Sequence, residues 1–254
     1  MFAADAKNRS KEECVSPHRT KGSALNSLLI IFARPPEEGV GKTRLRPILS
    51  KVQIVHLQKA FIFDTLCLTD PLSCQRLLAL SDCDSDFLKQ CQRGRTLLFA
   101  QQTGTALGER MWNAFQVGTR AGFDKIVMIG CDSPTLPIDF VRDAFDCLSS
   151  HDTVVGPSCD GGYYLIGFKR PLPIPMSFDG ISWGTSSVLT QTLRKMKEGV
   201  VALLPFWYDV DRPEDFEFLK EHLIWMARNG IPTPLHTREF IETTLRDDRP
   251  FGSG

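Results

Sequence analysis

The segment Lys125–Pro137, KIVMIGCDSPTLP, constrains the fold more than any other part of the chain. A short apolar run, Ile126–Ile129, stops at Gly130, and a single carboxylate, Asp132, follows two residues later. An uninterrupted apolar run bounded by glycine and proline is typical of a strand that is buried on both faces, as in a parallel sheet. In open α/β sheets, ligands bind beyond the carboxyl ends of the strands. Asp132 is therefore predicted to lie at a ligand-binding edge.

Strand and helix patterns alternate along most of the chain and predict a doubly wound α/β sheet. The apolar segment Leu28–Phe32 has the length of a buried strand, and helical spacing places Met111, Ala114 and Phe115 on one face. Pro213, followed by two acidic residues, is typical of the first turn of a helix. With 254 residues, 42% of them hydrophobic, the chain is long enough to bury a complete core.

Composition also predicts where the folded part lies. The first two dozen residues are polar, mixed in charge and without periodicity, which is typical of a disordered segment. The alternation of strands and helices stops near residue 156, which divides the remaining chain into two halves. We expect a disordered arm (1–24), a single domain (25–246) with halves 25–150 and 151–246, and a frayed C-terminal end (247–254).

Charge and cysteine usage argue against several classes of protein. Thirty Lys and Arg residues balance 30 Asp and Glu residues, whereas proteins that wrap nucleic acid have an excess of basic side chains. The eight cysteines include no C-x-x-C pair, so we expect reduced thiols and no zinc site. The early apolar run Leu28–Ala33 is too short for a signal sequence or a membrane span. We therefore expect a cytoplasmic protein without nucleic-acid or membrane partners.

A long loop after the first predicted strand, residues 33–47, carries several basic side chains. Its prolines and glycines prevent regular structure, and long ordered loops in compact domains are usually functional. The segment around Lys42 is not a P-loop, because Pro36 stands where that motif requires glycine. The guanidinium groups of Arg34 and Arg44 and the ammonium group of Lys42 suit a diphosphate. A solvated basic loop is the equally weighted alternative.

Carboxylates follow a second predicted strand at Asp209 and Asp211. One or two carboxylates together with phosphate oxygens are a common ligand set for a hard divalent cation. The structural alternatives are that Asp132 caps the following helix or tightens its Ser-Pro turn, and that Asp211 caps the helix begun by Pro213. The carboxylates and the basic loop together predict a metal–diphosphate site, with Mg²⁺ or Mn²⁺ held by Asp132 and Asp211.

Another predicted sheet exit carries Asp160-Gly161-Gly162. The two glycines allow the backbone to approach a ligand, and Asp160 could accept hydrogen bonds from sugar or acceptor hydroxyl groups. A Gly-Gly turn before an ordinary strand is the alternative. Trp183 is a candidate for stacking on a ring or closing the pocket, against the common role of tryptophan in a core. The Glu109-Arg110 pair is interpreted as no more than a charge pair at a helix start.

Six ordered blocks carry a family resemblance: Ala33–Leu45, Leu107–Met111, Ile129–Pro134, Gly156–Gly167, Ile181–Trp183 and Asp209–Asp215. Together they resemble the DUF2064 family of GT-A-type glycosyltransferase-like proteins, also called radical-SAM/selenodomain-associated transferase 1. The resemblance implies a GT-A (nucleotide-diphospho-sugar transferase) fold, with a Rossmann-like, mostly parallel sheet and helices on both faces. It further implies that the first half of the domain binds the nucleotide and the second half binds the acceptor.

The resemblance also implies roles for individual residues. Asp132 corresponds to the metal-binding aspartate of GT-A enzymes, Asp211 to the second metal ligand, and Lys42 and Arg44 would face the phosphates. The expected activity is divalent-metal-dependent transfer of a sugar from a nucleotide-diphospho-sugar to a small-molecule acceptor. Asp160 would orient the acceptor or the sugar, and Asp209 is the weaker candidate for a base.

Two other functions remain open at this stage. A nucleotidyltransferase would attach a nucleotide from an NTP to a phosphorylated small molecule and release pyrophosphate. Sugar nucleotidyltransferases usually carry a Gly-Gly pair directly after the first strand, where this chain has Arg34-Pro35-Pro36, which favours sugar transfer. A non-catalytic nucleotide-binding domain is the third possibility.

Overall fold

The computed structural model describes residues 26–81, 84–172, 178–196 and 199–247. The predicted N-terminal arm, 1–24, lies outside the described residues, as does residue 25. Residues 248–254 of the predicted frayed end also lie outside them, whereas residue 247 closes the last helix.

The described residues form a seven-stranded sheet. Its strands are β1 (Ser27–Ala33), β2 (Gln75–Leu80), β3 (Leu98–Gln101), β4 (Lys125–Ile129), β5 (Thr153–Pro157), β6 (Tyr163–Lys169) and β7 (Val201–Leu203). They are arranged in the order β3-β2-β1-β4-β6-β5-β7. All neighbouring strands are parallel except β6, which runs antiparallel to both β4 and β5. Strand β6 reverses because the tight turn after β5 leaves no room for the crossover that a parallel pair needs.

Helices cover both faces of this sheet, which confirms the predicted mixed α/β architecture. They are α1 (Lys51–Thr69), α2 (Ser85–Gln92), α3 (Leu107–Arg120), α4 (Ile138–Cys147), α5 (Val188–Lys195), α6 (Pro213–Arg228) and α7 (Leu235–Asp247), with a short 3₁₀ helix at Thr43–Leu45. Helix α1 starts at a capping box, in which the Ser50 hydroxyl accepts from the Gln53 N–H and the Gln53 side chain accepts from the Ser50 N–H. Within the described ranges, none of these helices combines the length and apolar character needed to cross a bilayer.

The alternation of side chains along β1 divides the core into two layers. Leu29 and Ile31 pack with the apolar faces of α1, α4, α6 and α7. Leu28 and Ile30 pack on the other face, with α3 and α5. Met111 and its predicted partners on α3 are buried in this second layer. Because both faces are covered, only the strand ends and the loops that follow them are free to bind a ligand.

Backbone hydrogen bonds fasten these loops to one another at the carboxyl ends of the parallel strands. The Val210 N–H donates to the carbonyl oxygen of Asp132 (2.9 Å), which joins the segment after β7 to the segment after β4. Ser158, after β5, forms an isolated bridge with Trp207. The segments that carry the predicted carboxylates are therefore held together by main-chain contacts.

Candidate active site

A cavity of about 490 Å³ opens at the carboxyl ends of the strands, a size typical of small-molecule sites. Every predicted site residue except Gly161 lines it: Arg34, Lys42, Arg44, Asp132, Asp160, Gly162, Trp183, Asp209 and Asp211. Its charged side chains are four basic residues, Arg34, Lys42, Arg44 and Arg110, and the four aspartates. The fold thus gathers residues from distant parts of the sequence around one space.

Lys42 lies between the two aspartates that the sequence predicts to share a metal ion. Its Nζ is 2.7 Å from Oδ1 of Asp132 and 3.3 Å from Oδ1 of Asp211. Those two oxygens therefore lie within about 6 Å of each other. The Lys42 side chain is only 3% exposed, whereas those of Asp132 and Asp211 are 55% and 38% exposed. We call Lys42, Asp132 and Asp211 the acid-pair cluster.

Local backbone geometry directs Lys42 into this position. Lys42 is the only non-glycine residue with positive φ in the described part of the chain (φ 43°), and Gly41 before it has φ 70°. Its ammonium group also donates to the carbonyl oxygen of Val210 (2.6 Å) and lies 5.0 Å from the centre of the Phe61 ring. A left-handed backbone for a residue with a Cβ costs energy, so the surrounding contacts must stabilise it.

Neither of the two aspartates caps the helix that follows it. Helix α4 begins after Pro137 without a side-chain cap, so Asp132 does not cap it. At the start of α6, the carboxylate of Asp215 accepts from the backbone N–H groups of Asp211 and Arg212 (3.0 and 2.7 Å). Asp211 is therefore free to direct its own carboxylate toward Lys42.

Lys42 is positioned differently from the sequence expectation that it faces phosphates. An ammonium group has three N–H donors, and three oxygen atoms, from Asp132, Asp211 and Val210, surround it. Burial by itself lowers the pKa of Lys42, but the two carboxylates outweigh that effect and raise the pKa above its ordinary value. Lys42 is therefore a fixed cation held between carboxylates.

Asp209 is a further, half-buried carboxylate in the segment after β7 that also carries Asp211. Its Oδ1 accepts from the Ser158 hydroxyl (2.7 Å). Burial raises the pKa of Asp209 to about 6, and the Ser158 hydrogen bond opposes that rise. A carboxylate with a pKa near 6 can accept a proton at neutral pH, as the sequence interpretation of Asp209 as a base requires.

The Asp160-Gly161-Gly162 segment is the turn between β5 and β6. Oδ1 of Asp160 accepts from the Gly162 N–H (2.8 Å), and no described residue donates a hydrogen bond to its Oδ2. The residue is exposed and lines the cavity. Gly161 has φ 90°, and a Cβ there would lie 2.3 Å from the Ser186 carbonyl oxygen. The close approach that Gly161 permits is thus to the chain itself and not to the cavity.

Arg110 is a cavity residue whose importance the sequence interpretation missed. The expected Glu109–Arg110 charge pair does not form, because Glu109 turns back to accept from the N–H and hydroxyl of Thr105 (2.8 and 3.0 Å). In the described part of the chain, the Arg110 guanidinium group has no hydrogen-bond or ion-pair partner, and its Nε is buried. The sequence signal that could have identified it is the block Leu107–Met111, because Arg110 lies in the first turn of α3, at the cavity wall.

Aromatic side chains form the wall on the α3 side of the cavity. Trp183 makes edge contacts with Tyr163 (6.3 Å between ring centres) and Phe178 (5.9 Å). A Cβ at Gly108 would lie 3.1 Å from the Trp183 ring, so α3 packs directly against it. Trp183 thus packs against core aromatic residues and also lines the cavity. Its stacking on a ligand ring stays a prediction.

Comparison with known proteins gives the chain its family. The model of the family described as "Uncharacterized protein conserved in bacteria (DUF2064)" matches residues 65–185. A crystal structure from Desulfovibrio desulfuricans G20, of a protein provisionally named a nucleotide-diphospho-sugar transferase, has 33% sequence identity and a TM-score of 0.76. The match covers 87% of this chain and 97% of that chain. This chain belongs to the DUF2064 family.

More distant structures share the fold of this DUF2064 protein. The inositol-1-phosphate CTP transferase from T. maritima is 15% identical, with a TM-score of 0.55 over 82% of this chain and 98% of its own. The 4-diphosphocytidyl-2C-methyl-D-erythritol synthase from Anaerococcus prevotii DSM 20548 is 10% identical, with a TM-score of 0.54 over 80% and 99%. No curated protein sequence matches the chain. The predicted GT-A-type fold is confirmed.

Proposed function

We propose that this DUF2064 protein is a transferase that moves a sugar from a nucleotide-diphospho-sugar to a small-molecule acceptor. One observation carries the proposal: the cavity holds the acid pair, Asp132 and Asp211, together with three arginines whose guanidinium groups have no partner among the described residues, Arg34, Arg44 and Arg110. Unpaired guanidinium groups around a cavity suit the phosphates of a diphosphate. The name of the 33%-identical protein supports the same class of donor.

A divalent metal ion fits the acid pair when phosphate oxygens complete its ligand shell. Among the described residues, no group of three or more His, Cys, Asp or Glu side chains is arranged to hold a metal ion. Asp132 and Asp211 each give one oxygen to Lys42, and no hydrogen bond from a described residue reaches the Oδ2 of either. Two partly exposed carboxylates with free oxygens are what Mg²⁺ or Mn²⁺ uses beside a phosphate. The bound ion would act as a Lewis acid toward the diphosphate.

The chain's own residues account for the remaining steps. The acceptor hydroxyl loses its proton to Asp209, its oxygen forms a bond to the anomeric carbon, and the bond from that carbon to the diphosphate breaks. The arginines stabilise the charge that develops on the leaving diphosphate. Asp160 orients a hydroxyl group of the acceptor or sugar with its free oxygen, and Trp183 bounds the space for the sugar ring.

The test is a donor-hydrolysis assay, which needs no acceptor. The protein is incubated with UDP-, GDP-, ADP- and CDP-sugars and Mn²⁺ or Mg²⁺, and in parallel with NTPs and sugar phosphates. We expect slow release of a nucleoside diphosphate from one donor, and loss of that release in Asp132→Asn. Pyrophosphate release from an NTP would establish nucleotidyl transfer instead. If neither product forms and no nucleotide shifts the melting temperature, both transferase activities are excluded. The protein would then be a non-catalytic domain that binds other ligands.

A further inference from the structure

Lys42 gives the acid pair a charge state that its two carboxylates alone do not have. The ammonium group lies within 3.3 Å of one oxygen of each aspartate. The cluster therefore carries a net charge of one negative unit instead of two. Because Lys42 is almost fully buried, water screens its charge weakly, and its repulsion of a second cation is correspondingly strong.

Several contacts hold Lys42 in this position. Its backbone is held in the left-handed region, Val210 accepts from its ammonium group, and the Phe61 ring lies against it. Val210 is itself tied to Asp132 through its N–H. A divalent ion that enters the cavity therefore meets two carboxylates already shared with a fixed positive charge.

We propose that Lys42 prevents the acid pair from binding a divalent cation alone, so that the ion enters together with the diphosphate of the substrate. This inference rests on the proposed function. The diphosphate brings oxygen ligands and more than one negative charge, which offset the ammonium group. Metal and nucleotide binding are thus coupled, and the reciprocal effect of each on the other is equal.

A clamp that merely positions the two carboxylates for a metal ion would behave in the opposite way. Removing such a clamp lets the aspartates separate, and the affinity for the metal falls. Removing a competing cation raises that affinity. The sign of the change in Lys42→Met, a variant of similar shape without the charge, distinguishes these two roles.

The experiment titrates Mn²⁺ alone into the protein and follows free Mn²⁺ by electron paramagnetic resonance. We expect the wild type to be less than half saturated at about 1 mM Mn²⁺, and folded Lys42→Met to bind at least about tenfold more tightly. Adding Asp132→Asn to Lys42→Met removes the gain, and Lys51→Met, an exposed lysine at the start of α1, leaves the wild-type value unchanged. Unchanged or weaker Mn²⁺ binding in folded Lys42→Met would overturn the proposal.

A second measurement can still overturn the proposal if a thermal melt shows that Lys42→Met does not fold. The wild type and Asp132→Asn are compared with Mn²⁺ alone, and we expect equally weak binding. Tight binding by the wild type that Asp132→Asn abolishes would refute the role of Lys42. Neither arm contains a nucleotide, so a failure here is distinct from a failure of the transferase assay.

Discussion

Two ion clusters lie at opposite ends of the same sheet and differ in the sign of their surplus charge. At the amino ends of the strands, Asp70 lies between Arg76 and Arg95. We call these three residues the Asp70 cluster. At the carboxyl ends, the acid-pair cluster has one cation between two carboxylates. The first has surplus positive charge and the second has surplus negative charge.

The two clusters also differ in how many carboxylate oxygens remain available to a ligand. Oδ1 of Asp70 accepts from Arg76 (2.6 Å) and Arg95 (3.1 Å), and its Oδ2 accepts from Arg95 again (3.1 Å). Arg76 is 7% exposed and also donates to the Leu66 carbonyl near the end of α1. Both oxygens of Asp70 are therefore used within the protein, whereas the acid-pair cluster keeps oxygens toward the cavity. A carboxylate whose oxygens are all bonded within the protein indicates a role in stability. A carboxylate with a free oxygen next to a cavity indicates a role in binding.

Asp132→Asn tests the binding side of this comparison and has the largest expected effect. We expect nucleoside diphosphate release to fall by at least about 100-fold, because the proposed metal ligand and its charge are lost. Stability should change little, since asparagine keeps an oxygen near Lys42 and Asp211 keeps a negative charge there. Steady-state kinetics and urea unfolding measure the two quantities. Retained activity, or a loss of stability larger than the loss in Asp70→Asn, would break the comparison.

Asp70→Asn tests the stability side. Two guanidinium groups, one of them buried, lose their only carboxylate within the described residues, so we expect the free energy of unfolding to fall by about 1–3 kcal/mol. The rate per folded molecule should stay within about twofold of the wild type. The matched control is Asp86→Asn, which removes an exposed pair with Lys89 and should cost less than about 1 kcal/mol. Urea denaturation of all three proteins gives the comparison, and equal stability of the two variants would contradict it.

Arg110→Gln tests whether unpaired charge at the cavity binds an anion. We expect the KM for the donor to rise about tenfold, because one charge-assisted contact is lost. Stability should not fall, since the Arg110 guanidinium group has no partner among the described residues to lose. Arg120→Gln, at the exposed end of the same helix, is the control and should leave the KM unchanged. An unchanged KM in Arg110→Gln would remove this arginine from the site.

Sequence patterns were sufficient for the parts of the fold that depend on local chemistry. The apolar run at β4 and the proline at the start of α6 predicted both elements closely. Because parallel strands end at the same edge, the residues after β4 and β7 were also expected to meet. The proximity of Asp132 and Asp211 follows from that rule and not from any contact visible in the sequence.

The positions and partners of several site residues depend on tertiary contacts that local sequence patterns do not predict. The position of Lys42 depends on the Val210 carbonyl and the Phe61 ring, which are distant in sequence. The closeness of Gly161 to Ser186 depends on the path of the chain before α5. Arg110 is unpaired because Glu109 binds Thr105. In each case the role of the residue depends on a contact partner that the local sequence pattern does not identify.

The smallest expected effect concerns Asp209. Unlike Asp70 and the acid pair, this carboxylate has no ion-pair partner among the described residues, and one of its oxygens accepts a hydrogen bond from Ser158. Burial raises its pKa to about 6, and a base must be deprotonated to act, so the rate should rise with pH through about 6 and then level off. The Ser158 hydrogen bond favours the charged form. Ser158→Ala should therefore raise the pKa further and move the rising limb to higher pH by about one unit. Profiles of kcat/KM between about pH 5 and pH 8 measure the shift, and a limb that stays in place or moves to lower pH would exclude Asp209 as the base.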